Sequence, residues 1–210
     1  MGEVEVLNGL RNSIRNGVFS VRWSFCIVLL VGAVSCRTTS DFAQTLKNGT
    51  QVEQMEALVE LSETGTKDGE TRQLLIASAQ GALSPLVRSS AVRLMGREPR
   101  QETYFPAFLY ALEDQSFVVR FEAAHALGKT GRSEAVDPLI LRLKKDEHAW
   151  VRFKAARSLA RLGDRRALSG LVLALEDADE TVRVNAFLAL KSLTGEDHGR
   201  DADGWRALID

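Results

Sequence analysis

The sequence predicts an all-α fold, a right-handed superhelical α-α solenoid of about five repeats. Three observations carry this. A short pattern recurs four times: Val87-Arg88-x-x-Ala91, Val119-Arg120-x-x-Ala123, Val151-Arg152-x-x-Ala155 and Val182-Arg183-x-x-Ala186, with Val-to-Val spacings of 32, 32 and 31. Four residues beyond each alanine stands another apolar residue, Met95, Leu127, Leu159 or Leu190. Spacings of four and four define one face of a helix. Finally, a second apolar stretch precedes each of the last three patterns, separated from it by a turn that contains Asp114, Asp146 or Asp177. Each unit therefore reads as helix A, a polar turn, helix B and another turn.

The A helices are read at Tyr104–Leu112, Val136–Leu143 and Leu168–Leu175, with one at Thr71–Gly81 ahead of them. A degraded first unit stands in front. Asp41–Lys47 is a truncated A helix ended by Asn48-Gly49, and Ala57 and Leu61 hold the Ala and Leu places of its B helix. The Val-Arg pair is missing there. Alanine between the valine and leucine positions lets two helices approach closely. Gly96, Gly128-Lys-Thr-Gly131 and Gly163-Asp164 follow B helices and suit C-terminal caps. Pro138 lies in the first turn of its A helix, where a missing N–H costs little.

A turn aspartate followed by Val-Arg-x-x-Ala-x-x-x-Leu resembles the bacterial HEAT repeats, specifically the group named after phycobilisome lyases. The resemblance spans residues 41–193. It implies a stack whose partner surface is the exposed side of the B helices. On that side lie Arg93, Glu122, His125, Lys154, Arg157 and Asn185, a strip of mixed sign. Such a strip suits a protein or peptide rather than a uniform polyanion. HEAT-repeat di-iron hydroxylases carry His-Glu dipeptides on successive repeats, because iron needs clustered imidazole and carboxylate ligands. This chain has none; Glu147-His148 is reversed and unmatched. Bilin lyases share the repeat, but export does not suit their substrates.

Residues 1–35 read as a lipoprotein signal peptide. The apolar run from Ser24 to Ser35 is too short to span a bilayer, which needs about 20 apolar residues. It follows Arg11, Arg15 and Arg22 and ends in small residues, a secretory shape. Ala33-Val34-Ser35-Cys36 resembles a bacterial lipobox, which implies acylation of Cys36; the other reading is an ordinary signal cut near the same place. The segment before the apolar run is long for a signal, and a start at Val18 or Val21 gives a more usual length. Loss of Cys26 with the signal leaves one cysteine and no internal disulfide. Residues 36–40 form a short lipidated tether with a reach of about 15 Å. Arg37, rather than aspartate, follows the cysteine, and in the lipoproteins it resembles this favours the outer membrane.

Charge excludes one class of partner. The formal net charge is −1, and removal of residues 1–35, with three arginines and two glutamates, shifts it only to −2. A balanced chain with no basic run argues against nucleic acid. There is no phosphate-binding glycine loop, paired-cysteine zinc motif or Gly-x-Ser-x-Gly elbow. The expectation is no metal, no cofactor and no catalytic residue.

Three sets of residues remain. Asp114, Asp146 and Asp177 with Arg120, Arg152 and Arg183 are either an acidic-basic binding strip or, the favoured reading, a structural ladder. A planar guanidinium suits bridging of turn carbonyls and carboxylates. On that basis Arg152→Lys lowers the melting temperature, while Lys154→Ala on the exposed strip barely changes it. Phe121 and Phe153, two past their valines, are an aromatic anchor pair or, preferably, packing between B helices. In the tail, residues 194–210, Leu193-Thr-Gly-x-Asp-x-Gly-x-Asp followed by Trp205 resembles a closing motif of bacterial HEAT proteins. A last repeat needs its apolar face covered. Trp205 and Leu208 can cover it; the sharper alternative is a cation site from Asp197, Asp201 and Asp203, weakened by Gly199 where a calcium loop needs a carboxylate.

Together these readings make the chain a non-catalytic scaffold or adaptor, lipid-anchored on the periplasm-facing side of a bacterial envelope, for a protein or peptide partner. The alternatives are a structural subunit of an envelope complex that uses its edges and cap, and a lyase-like or metal-dependent accessory enzyme.

Overall fold

The computed structural model describes residues 38–64 and 68–208. Cys36, Arg37 and the signal-like segment lie outside the described residues; Thr39 and Ser40, expected in the tether, already belong to the first helix, so the stack begins earlier than residue 41. Residues 39–210 form one compact unit. Among the described residues there is no strand, and no helix is long and apolar enough to cross a membrane.

Among the described residues five A helices alternate with five B helices. The A helices are α1 (Thr39–Asn48), α3 (Gly69–Gly81), α5 (Phe105–Ala111), α7 (Val136–Lys145) and α9 (Leu168–Ala174). The B helices are α2 (Gln51–Thr64), α4 (Pro85–Met95), α6 (Phe117–Leu127), α8 (Ala149–Leu162) and α10 (Glu180–Thr194), and a short α11 (Ala202–Arg206) closes the chain. A single 3₁₀ turn leads into each of α5, α7 and α9. Within each unit the A and B helices pack together, and each B helix packs on the B helix of the next unit.

The periodic positions form the spine of the core. Val87, Val119, Val151 and Val182 are fully buried, as are all four alanines and all four Met or Leu residues that follow them. In the degraded first unit Ala57 and Leu61 are buried, and Glu53, in the valine place, is exposed. Glu53 instead accepts from the N–H and hydroxyl of Thr50 at the start of α2.

Helix ends follow local chemistry. Asp68 and Asp179 accept N–H groups at the starts of α3 and α10, and Pro85 opens α4. Gly163 and Gly195 end α8 and α10 with φ of 73° and 78°. Gly96 and Gly128 differ from the expectation: both are right-handed, with φ of −67° and −63°. Their role is close approach. A Cβ on Gly128 would lie 2.5 Å from the Ser158 side chain, and one on Gly96 would lie 3.4 Å from the Ala126 Cβ. Ser158 Oγ donates to the Ala124 carbonyl at 2.8 Å, tying α8 directly to α6. Small residues thus bring successive B helices together. Neighbouring B helices pack more extensively than neighbouring A helices.

Candidate functional site

Two sets of charged side chains run the length of the stack, and they behave differently. The first set is fully committed to structure. Arg120 Nε and Nη2 donate to the Asp146 carboxylate at 2.7 and 2.8 Å, while Nη1 donates to the carbonyls of Asp114 and Gln115, both at 2.9 Å. Each guanidinium therefore joins its own turn to the turn one unit ahead. Arg152 repeats this with Asp177, at 2.7 Å for both oxygens, and with the carbonyls of Asp146 and Glu147. The planar fork satisfies both geometries at once. Each aspartate also accepts the N–H two residues on, from Ser116, His148 and Asp179. Burial pushes the Asp146 carboxyl up, but the Arg120 guanidinium and the His148 N–H outweigh it and hold it below its usual value. Asp114 and Asp177 are held down in the same way.

The ends of this series differ from its middle. Arg88 pairs with Asp114 at 2.7 Å and caps the carbonyls of Ala82 and Leu83. Ala82 stands where later units carry the aspartate, so the absent aspartate concealed Arg88 as a member. Arg183 has no following unit to reach. It caps the carbonyls of Asp177 and Ala178 and turns to Glu180 of its own helix.

The second set lies on the outward side of the B helices. Arg93 on α4, Glu122 and His125 on α6, Lys154 and Arg157 on α8, and Asn185 on α10 share this side. Lys129 and Arg161, each ten residues past its valine, join them. Sequence reasoning missed both, although their equivalent register was visible. Asn185 Nδ2 is spent on the Thr181 carbonyl of its own helix.

Lys154 departs from expectation. It is only 9% exposed, and its ammonium lies 4.4 Å from the ring centroid of Phe121 and 5.3 Å from that of Phe153. Phe153 packs against the core, as preferred, and the two aromatics in addition hold a cation between successive B helices. Lys154→Ala should therefore cost stability, where the sequence predicts almost no effect, by removing that contact and opening a gap. Burial and the neighbouring Arg157 push the Lys154 ammonium down, against the pull of Glu122.

The face is also less mixed in sign than the sequence suggested. Burial pushes His125 down to about 4, and Lys154, Lys129, Arg161 and Arg157 push in the same direction, so the imidazole is neutral at pH 7. Burial raises the Glu122 carboxyl despite the nearby Arg93, Lys154 and Lys129. Three cations thus act on one half-buried carboxylate, and Arg157 and Arg161 join Lys129 and Lys154 around the neutral His125. The A layer presents a contrasting feature, an exposed apolar stripe of Tyr110, Leu141 and Leu173 in equivalent positions of α5, α7 and α9.

The tail covers the last unit. Trp205 is fully buried, edge-on to Phe187 of α10 and to His198, and its Nε1–H donates to the Gly199 carbonyl at 2.8 Å. Leu208 packs partly buried against the same core. The tail carboxylates face different partners: Asp197 accepts from Lys191, Asp201 caps α11, and Asp203 pairs with Arg206. Among the described residues no cluster of His, Cys, Asp and Glu is arranged to hold a metal ion.

A family model for HEAT repeats matches residues 72–152 and 136–202. Comparison with curated proteins gives no match. Among solved structures, the complex of CpcE and CpcF of phycocyanin lyase from Nostoc sp. PCC7120 aligns with a TM-score of 0.61 at 20% identity, over 85% of this chain and 71% of that one. A designed armadillo repeat protein in complex with the peptide (KR)4 aligns with a TM-score of 0.57 at 21% identity, over 82% and 90%. Computationally designed armadillo repeat proteins for modular peptide recognition align at 0.51 and 20%, over 74% and 82%. At these identities the likeness concerns the fold, an all-α solenoid. With the family model covering more than half of the chain, this protein belongs to the HEAT-repeat family, as a helical scaffold suited to protein binding.

Proposed function

We propose that the chain is a non-catalytic scaffold or adaptor that binds a protein or peptide on the outward face of its B layer. The observation that carries this is the division of labour among its arginines. Arg88, Arg120 and Arg152 are locked into the stack by carboxylates. Arg93, Arg157 and Arg161 make no salt bridge among the described residues and share one face. A rigid surface with undischarged polar groups suits recognition. The similar lyase complex and the similar peptide-bound armadillo design are both assemblies with a partner. Lyase-like accessory activity is the competing reading, favoured only by the likeness to the lyase complex; turnover on any substrate would establish it.

The Cys36 motif extends the proposal to a lipid anchor on the periplasm-facing side of a bacterial envelope, with the outer membrane favoured. Metabolic labelling with an alkyne palmitate tests the anchor: label on wild type and none on Cys36→Ser supports it, and equal label or none on both refutes it. A crosslinking pull-down tests the face. A partner recovered with wild type and with a Tyr110→Ser/Leu141→Ser variant, but lost with Arg93→Glu/Arg157→Glu, supports the B face. The reverse pattern assigns binding to the A layer.

A further inference from the structure

We infer that the B-layer face takes an extended acidic polypeptide segment, its carboxylates held by Arg93 of α4, Lys129 just beyond α6, and Lys154, Arg157 and Arg161 of α8. The inference rests on the reading of this face as the partner surface and adds the chemistry of the partner. Three observations carry it.

The first is charge left without a counter-charge. Arg93, Lys129, Lys154, Arg157 and Arg161 have no carboxylate within ion-pair distance among the described residues. Other cations also lack one, Arg100, Lys144, Lys145 and Arg165 among them; these five differ in that they cluster, with Arg93, Lys129 and Lys154 acting together on Glu122 and Lys129, Lys154, Arg157 and Arg161 on His125. Arg93 finds only Ser90 Oγ at 3.5 Å, and Lys129 only the Gly96 carbonyl at 3.4 Å. Glu122 alone opposes them, half-buried beneath the group.

The second is preorganisation. The Lys154 ammonium is fixed between two aromatic faces and largely removed from bulk water. A cation so held loses little side-chain entropy on meeting a carboxylate, and the attraction is stronger in its reduced dielectric.

The third is spacing. Packed helices lie about 8–10 Å apart, and an extended chain advances about 3.3 Å per residue. Successive B helices therefore meet every third residue of an extended segment. A polypeptide can place acids at that interval and an uncharged residue over Glu122. A nucleic-acid strand cannot omit the phosphate there. The ends of the face bound the segment: α2 presents Glu56, Glu60 and Glu63, which repel acid, and α10 presents the exposed Leu188, which accepts an apolar side chain.

Fluorescence anisotropy with labelled (Asp-Glu)4, (Lys-Arg)4 and the eight-nucleotide dT8 tests this on the full chain. The expected result is binding of the acidic peptide, at least tenfold weaker binding of the other two, and loss of affinity with rising salt. Arg93→Glu/Arg157→Glu, with unchanged circular dichroism and melting, should lower acidic-peptide affinity at least tenfold. A second variant, Arg157→Gln/Arg161→Gln, should lower it several-fold and covers any misfolding of the first. Preference for (Lys-Arg)4, equal binding of dT8, or unchanged affinity in both variants overturns the inference. Absence of acidic-peptide binding, with a cellular partner still captured through the B face, overturns the acidic chemistry alone. A partner captured through the A layer overturns the underlying reading instead.

Discussion

Removing Arg120 should do more damage than removing any other cation of the stack. Arg120 is 5% exposed, and the Asp146 side chain that it holds is fully buried. Arg120→Met leaves the buried Asp146 carboxylate with only the more distant Arg142, 3.8 Å away, a change that costs about 3–5 kcal/mol, toward the lower end of that range. For a domain of this size that corresponds to a melting shift of about 6–20 °C, at about 2–4 °C per kcal/mol. Arg120→Lys keeps a charge but has one point of attachment. It can meet Asp146 or the carbonyls of Asp114 and Gln115, not both, and charged hydrogen bonds contribute about 1.5–3 kcal/mol each. It should therefore cost about 2 kcal/mol. Urea unfolding followed by helical circular dichroism measures both, with Asp146→Leu and the double variant closing a thermodynamic cycle. The pair should couple by about 1–3 kcal/mol, because Arg120→Met/Asp146→Leu removes both buried charges together. Arg166→Met, whose ion pairs are exposed, should leave the urea midpoint unchanged. An Arg120→Met loss no larger than that of Arg166→Met, or coupling near zero, would refute the view that this ladder holds the units in register.

Three further outcomes follow from the same geometry. Gly128→Ala drives a methyl into Ser158 and should destabilise by about 1–3 kcal/mol, with Ser158→Gly in the same chain restoring part of the loss. Trp205→Ala opens the last unit and should cost about 3–5 kcal/mol, with faster amide exchange in α10 and little change in α4 by mass spectrometry. The ladder carboxylates have folded pKa values below the usual carboxylate value, so their contribution is fully present above the unfolded value of about 3.9 and is lost as pH falls through the folded values. The urea midpoint should fall steeply below about pH 4, and Asp146→Asn should lower the neutral-pH midpoint and flatten that acid limb.

Much of the fold was legible because its signal is local. The Val, Ala and Leu positions share one helical face, and every one of them is fully buried. Gly163 could be read as a cap because a left-handed end is a property of its own helix. Gly128 could not, because its reason is Ser158 on the next helix, thirty residues away in sequence. Lys154 was misjudged for a related cause. Its position on the face was right, but the recurrence of Phe121 and Phe153 beside it, which removes it from water, depends on how far apart successive B helices stand. Lys129 stands beyond the last residue of α6, so helical periodicity alone does not say which face it reaches. The stripe of Tyr110, Leu141 and Leu173 recurs in the sequence with the same period as the core, and its apolar character hid it among core positions.

The central claim is that the B face, not the A layer, meets the partner. A photo-crosslinking amino acid placed in turn at Arg93, His125, Arg157 and Leu188, and at Tyr110, Leu141 and Leu173, tests it directly in producing cells. The account predicts one crosslinked species from the B-face positions and none from the A-layer positions. The same species appearing from Tyr110, Leu141 and Leu173 alone would contradict it.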